Sequence, residues 1–253
     1  MGPRQARAWY VISLRPQGGH AGLRHAAAKA GAGVLALSPW TLTPRADAPT
    51  RDALRAALQA PAVVFTSPAA VHFAHALLPL RSGAGQAWIG TGAGTRQALH
   101  RAGIDGALAP ARMDSEGLLE LEALQASPVG LVTAPGGRGV LAGALAARGT
   151  QVLRADVYAR TPISLSPQAV NRLQALDQPT FLALSSGEAL GQVLDRLPSD
   201  AAAALRGATA IAASARLADL AGEAGFRTVV QAEGPRPGQL VEAAHAVFSR
   251  RFR

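Results

Sequence analysis

Short apolar runs recur along the chain, each followed by a break rich in hydroxyls or glycine and then by apolar residues at helical spacing. Val63-Val64-Phe65 runs into Thr66-Ser67-Pro68, and Ala70 and Val71 open the next pattern. This spacing predicts a strand, a serine cap and a helix with proline at its first position, where the missing N–H is harmless. Phe181–Leu184, then Ser185-Ser186-Gly187-Glu188, repeats the arrangement, with Ser185 and Glu188 at capping-box spacing. Further segments echo each other. Ile89 through Ile104 matches Ile211 through Phe226. Val11-Ile12-Ser13-Leu14 through Val34 matches Leu131-Val132-Thr133-Ala134 through Val152. The offset stays at about 120 residues, so the chain reads as two diverged halves.

The same patterning predicts strands at 9–14, 34–37, 63–66, 88–91, 107–109, 130–133, 152–159, 180–184, 209–212 and 228–231. Helices are predicted at 20–30, 47–60, from Pro68 to about 78, 95–102, 138–148, 167–176, 188–197, 215–224 and 239–248. One more, capped by Asp114 or Ser115, is predicted to run to about 124. Ser38–Pro44 and Thr161-Pro162-Ile163 read as extended crossings flanked by prolines. Short apolar strands alternating with helices predict parallel sheets covered by helices, an α/β protein.

At 253 residues, two domains are expected. There is no cysteine, which excludes disulfides and thiolate chemistry. The net charge is +9, and Lys29 is the only lysine. A GC-rich coding bias accounts for the excess of arginine over lysine but less well for the net charge, which suits an anionic partner. No apolar run is long enough to span a bilayer, and Val11–Leu14 is too short for a signal-peptide core, so a cytoplasmic protein is expected.

Several motifs fail on detail. Gly90-Thr91-Gly92-Ala93-Gly94-Thr95 has threonine where the dinucleotide fingerprint needs its third glycine, so it reads as a tight turn into a helix. Gly136-Gly137-Arg138-Gly139 lacks the Lys-Ser/Thr of a phosphate-binding loop. His72 and His75 can share a helix face, but no third metal ligand is evident. What stays is a set of strand ends carrying hydroxyls and glycines: Thr66, Ser67, Thr95, Ser115, Gly137, Ser185, Ser186 and Ser214. Ligands of parallel sheets bind beyond the carboxyl ends of the strands, where helix N-termini offer N–H donors. Such a cleft would suit a ligand with many anionic groups and little need of covalent help.

At this point the chain resembles the uroporphyrinogen-III synthase family over nearly its whole length. Leu14-Arg15-Pro16 matches the family's opening Thr-Arg-Pro turn, and Phe65-Thr66-Ser67-Pro68 with Ala70-Val71 matches Phe-Thr-Ser-x-Asn-Ala-Val. Gly92-Ala93-Gly94-Thr95, Ser115-Glu116-Gly117-Leu118-Leu119, Arg138, Gly149, Val157-Tyr158, Arg160, Leu184-Ser185-Ser186 and Gly225-Phe226 follow in order. Leu14 and Ala69 depart from the pattern, standing where the family has threonine and asparagine.

The resemblance implies two flavodoxin- or Rossmann-like domains joined by a two-stranded connector, residues 1–38 with 163–253 forming one and 39–162 inserted as the other. It implies hydroxymethylbilane, a linear tetrapyrrole with acetate and propionate arms, as the substrate. The reaction loses water, inverts the terminal ring and closes the macrocycle, without cofactor or metal. The expected site comprises Arg15, Thr66, Ser67, Thr95, Ser115, Gly137, Arg138, Ser185, Ser186 and Ser214 for binding, with hinge motion between the domains. Tyr158 is the candidate to assist departure of the hydroxyl, since a phenol stays protonated at neutral pH. A monomer, fed by transient channelling from hydroxymethylbilane synthase, is expected, with no nucleic acid or membrane partner. Two other readings stay open. One is a two-domain binding protein for a polyanion without catalysis, and the other a nucleotide-dependent α/β enzyme.

Overall fold

The computed structural model describes residues 8–110, 118, 120–136 and 140–251. Its strands are β1 (Tyr10–Ser13), β2 (Gly33–Ala36), β3 (Trp40–Pro44), β4 (Ala62–Phe65), β5 (Ala87–Gly90), β6 (Val129–Thr133), β7 (Val152–Asp156), β8 (Tyr158–Pro162), β9 (Thr180–Leu184), β10 (Thr209–Ala212) and β11 (Val229–Gln231). Its helices are α1 (Ala21–Lys29), α2 (Ala48–Leu58), α3 (Pro68–Leu77), α4 (Ala93–Arg101), α5 (Val140–Ala147), α6 (Pro167–Gln174), α7 (Gly187–Leu194), α8 (Ser199–Gly207), α9 (Ala215–Glu223) and α10 (Pro237–Arg251).

Two compact units divide the chain: Met1–Thr41 with Thr161–Arg253, and Leu42–Arg160. The first holds a sheet in the order β11-β10-β9-β1-β2, parallel throughout. Counted within the unit this is 2-1-3-4-5 read from the other edge, the flavodoxin order. The second holds β5-β4-β6-β7, also parallel, and Leu108 adds a bridge to Ile89 outside β5. With that bridge the order is 3-2-1-4-5. The two sheets are therefore circular permutations of one pattern. β4 and β5 correspond to β9 and β10, and β6 and β7 correspond to β1 and β2, as the repeat in the sequence pairs them. Backbone bonds repeat too: Leu37 N donates to Ser13 O, and Val157 N donates to Thr133 O.

Strands β1, β4 and β10 are buried along their whole length, as central strands of a parallel sheet covered on both faces must be. In the first unit Trp9 packs edge-on to Phe181 and stacks on Phe248 of α10. In the second, Phe65 stacks on Trp88 within a core that also takes in Val71, Leu99 and Tyr158.

Several elements depart from the sequence reading. The strand expected over 152–159 is two. Val157 donates to Thr133 of β6, but its carbonyl accepts from Arg45, so the chain leaves the β7 ladder there. Beyond it, β8 pairs with β3 as a separate two-stranded sheet, and both junctions between units fall inside these two strands. The strand expected at 107–109 is reduced to the Leu108 bridge. Helix α8 has no counterpart in the reading, because its run of four alanines shows no apolar periodicity. Alanine nevertheless has the highest helix propensity, and Pro198 with Ser199-Asp200 marks a helix start. The expected cap at Asp114 or Ser115 lies outside the described residues, and Glu122–Gln125 form a 3-10 turn.

Candidate active site

In each sheet the direction of chain progression reverses between two strands, β9 and β1 in the first unit, β4 and β6 in the second. Beyond the carboxyl ends of such a pair the connecting loops part, leaving room for a ligand. Thr66 and Ser67 follow β4 there, and Ser185 and Ser186 follow β9.

In the second unit the chain leaves β4 through Thr66 and Ser67. Thr66 Oγ1 donates to Thr133 Oγ1 at the end of β6, 2.8 Å away, and Thr91 Oγ1 donates to the Thr66 carbonyl at 3.0 Å. Ser67 caps α3, accepting from Ala70 N at 3.0 Å, with Pro68 at the first helical position. Its Oγ also lies 3.1 Å from the Tyr158 hydroxyl. Tyr158 is 5% exposed, and its ring stacks on Phe73 of α3 at 5.2 Å.

The chemistry of this pair follows from counting protons. A serine hydroxyl has one donor and two acceptor positions, and a phenol one donor. Ser67 already accepts from Ala70. If Tyr158 donates to Ser67, the serine proton is uncommitted; if Ser67 donates to Tyr158, the phenol proton is. Either way the pair keeps one O–H to give. Ser67 is the less buried partner.

Thr95 sits elsewhere than expected. The N-cap of α4 is Gly92, and Thr95 lies within the first turn, 4% exposed. Its N–H is already used on Gly92 O. Gly92 has no side chain to cap with, so the N–H groups of Ala93 and Gly94 have no partner among the described residues. The repeat places Ser214 at the equivalent N-cap of α9, where its side chain also makes no cap bond. At these corresponding strand ends each unit has a serine-capped helix, α3 or α7, and one, α4 or α9, whose N-cap residue makes no side-chain cap bond.

In the first unit the serine cap is one residue later than predicted. Ser186, not Ser185, accepts from Ala189 N, at 3.2 Å. Helix α7 begins at Gly187, and a Cβ there would meet only the tip of the Leu220 side chain of α9 at 2.8 Å, which a shift of that side chain relieves. Ser185 is left exposed in the turn. Arg15 follows β1, half-buried and without an ion-pair partner among the described residues. Burial lowers its pKa, because desolvation disfavours the charged guanidinium. Ser115, Gly137 and Arg138 lie outside the described residues. His72 and His75 share one face of α3, lining a groove of about 310 Å3 with Arg101 of α4.

The sequence reading missed a buried relay. Ser13 Oγ lies 2.9 Å from His20 Nδ1, and His20 Nε2 lies 2.8 Å from Ser38 Oγ. His20 is 4% exposed and its pKa is lowered, first by burial and then by the positive charges of Arg24 and Arg15. Ser13 is the repeat partner of Thr133, so a hydroxyl ending both strands was a readable signal. Nothing local marks His20.

The depressed His20 pKa carries a stability expectation. Above about pH 6.5 the ring is neutral folded and unfolded. As pH falls below that value the unfolded chain takes up the proton first, so stability is lost towards the lower folded pKa. Melting temperatures taken from pH 8 to pH 5 should fall over this window, and His20→Gln should flatten the fall. An unchanged slope in the variant would contradict the assignment.

The fold is that of an α/β protein built as two compact units, each around a parallel sheet. A family model described as uroporphyrinogen-III synthase HemD matches residues 22–242. The chain belongs to the uroporphyrinogen-III synthase family, an enzyme family acting on a small molecule. Among solved structures, a mutant uroporphyrinogen III synthase from Thermus thermophilus is similar at 21% identity and TM-score 0.59, covering 96% of this chain and 100% of its own. Uroporphyrinogen-III synthetase from Helicobacter pylori is similar at 19% identity and TM-score 0.56, covering 94% and 99%. At these identities the likeness speaks for the fold. No curated protein matches the chain. Among the described residues no helix is long and apolar enough to cross a membrane.

Proposed function

We propose that this chain performs its family's reaction as a cofactor-free hydro-lyase, closing hydroxymethylbilane to uroporphyrinogen III with loss of water and inversion of the terminal ring. The observation that carries the chemical part is the 3.1 Å contact between Ser67 and Tyr158 at the end of β4. Pyrroles are electron-rich, so a ring nitrogen expels the neighbouring hydroxyl once a proton reaches it. The Ser67–Tyr158 pair supplies that proton. General-acid assistance is typically worth about 10² to 10⁴ in rate, and the lower end is expected where the nitrogen already drives departure.

The harder task is geometric, since the substituted carbon of the last ring must attack first. Holding the carboxylate arms achieves this. Arg15 and the open N–H groups of α4 and α9 are the donors assigned to them, with the positive ends of the helix dipoles adding to the attraction. Thr66 follows β4, Ser185 and Ser186 follow β9, and Ser214 follows β10; these, with Ser115, Gly137 and Arg138, are assigned to binding from the sequence. The chain acts as a monomer, and direct transfer from hydroxymethylbilane synthase fits a substrate that cyclises spontaneously.

Protein dialysed against a chelator and given freshly generated hydroxymethylbilane should yield the type III isomer at the undialysed rate. Activity lost on dialysis and restored by a divalent metal would contradict the cofactor-free reading. Ser67→Ala removes the α3 cap and one member of the donor pair. It should lower stability by about 1 kcal/mol. Its rate should fall by roughly tenfold or less, since the remaining phenol then has its proton free. A drop of several orders of magnitude in a folded Ser67→Ala protein would instead make the serine the proton donor.

A further inference from the structure

The relay through His20 has no part in the chemistry assigned so far, yet it ties together three segments around one turn. Ser13 ends β1, His20 is the N-cap residue of α1, and Ser38 follows β2. The His20 ring does not cap its own helix. It turns inward and joins the other two, so the Ser13–His20 contact closes a loop over Leu14–Gly19. That loop carries Arg15. Two backbone bonds also tie it among the described residues, Gly19 N to Pro16 O at 2.8 Å and Gln17 N to Trp40 O at 2.9 Å. Gly18 and Gly19 adjoin, the first at a φ of +81°, so the segment has much backbone freedom to lose when ordered.

We propose that His20 is a positioning residue: through Ser13 and Ser38 it fixes the turn that presents Arg15, and thereby sets how tightly an anionic arm of the substrate is held. The inference rests on the binding role of Arg15 given above. Two features of the relay support it. Both neighbours of the ring are hydroxyls, which can donate or accept, so a neutral imidazole is satisfied in either tautomer. Among the described residues no carboxylate balances an imidazolium beside Arg15 and Arg24. Arg15 in turn is a partly desolvated cation without an anionic partner among the described residues, the state of a group that waits for a ligand's charge. Fixing its turn beforehand removes an ordering cost from binding, which shows in KM and not in kcat.

A double-mutant cycle tests this, read as steady-state formation of type III product. His20→Gln can reach Ser38 but not Ser13, and Ser38→Ala removes the second contact while leaving the ring. Each should raise KM by roughly three- to tenfold, the loss of one hydrogen bond's net contribution. kcat should stay within about twofold. Arg15→Ala should raise KM by itself, and adding His20→Gln or Ser38→Ala to it should change KM no further, because the relay acts through Arg15. If His20→Gln does not fold, the Ser38→Ala cycle decides. Multiplicative effects in the double variants, or an unchanged KM in folded single variants, would overturn the inference and leave the relay purely structural. A parent protein that makes no type III product would overturn the functional reading as well, which separates the two failures.

Discussion

Tyr158→Phe should lower kcat for type III product by about 10²-fold with the fold intact. The substitution keeps the ring, so the stack on Phe73 and the place in the core survive. Only the hydroxyl 3.1 Å from Ser67 is removed. Losing one hydrogen bond of this kind costs about 1 kcal/mol, a fall of about 2 to 4 °C in Tm for a chain of this size. Rate and stability therefore separate. Ser67 retains its bond from Ala70 and a hydroxyl proton, so some acid assistance persists, and the loss should stay near the lower end of the usual range. A variant that forms type III product at the parent's rate would make Tyr158 a core aromatic and nothing more. A variant that loses rate only in proportion to a collapsed Tm would say the same.

Gly130→Ala should be the most damaging single methyl group in the second unit. Gly130 lies in β6, hydrogen-bonded between β4 and β7. A Cβ there would overlap the carbonyl oxygen of Ala57 on α2, and the backbone of α2 follows that oxygen. A flexible side chain could swing aside; a helix packed on two strands cannot. Overpacking of this sort costs about 3 kcal/mol or more, or roughly 6 to 12 °C in Tm. Gly191→Ala on α7 is the matching control, because its added Cβ meets nothing within 4 Å. That change should stabilise slightly, by about 0.5 to 1 kcal/mol, through higher helix propensity. Equal melting temperatures for Gly130→Ala and the parent would mean that α2 does not press on β6 as described.

The alternation of apolar runs with hydroxyl-ended turns was enough to read the parallel α/β character, because a strand buried on both faces has to be apolar along its length. The repeat was readable for the same reason. β4 and β9 both end in a serine that caps a helix, and β5 and β10 lead into helices left uncapped. What escaped reading was decided by partners distant in sequence. Val157 belongs to no continuous strand because its N–H and its carbonyl are claimed by different neighbours, Thr133 and Arg45, and no local pattern records that. Two adjacent serines, Ser185 and Ser186, precede α7, and only the backbone geometry of the turn decides that Ser186 is the one that accepts from Ala189 N. Thr95 falls inside the first turn because α4 starts at Ala93 after its N-cap Gly92, within a glycine-rich turn whose first helical residue is ambiguous in the sequence. His20 has the composition of any helix start, and only the fold brings Ser13 and Ser38 to its two nitrogens.

The most direct measurement is the isomer composition of the product as a function of protein concentration. Hydroxymethylbilane is generated enzymatically, allowed to react for a fixed short time, and its oxidised products are resolved by chromatography. Spontaneous closure gives the type I isomer, in which the last ring is not inverted. If the chain holds the bilane by its carboxylates and delivers a proton from the Ser67–Tyr158 pair, the type III fraction should rise with added protein until it dominates. A type I product at every protein concentration, from a protein shown to be folded, would contradict the account at its centre.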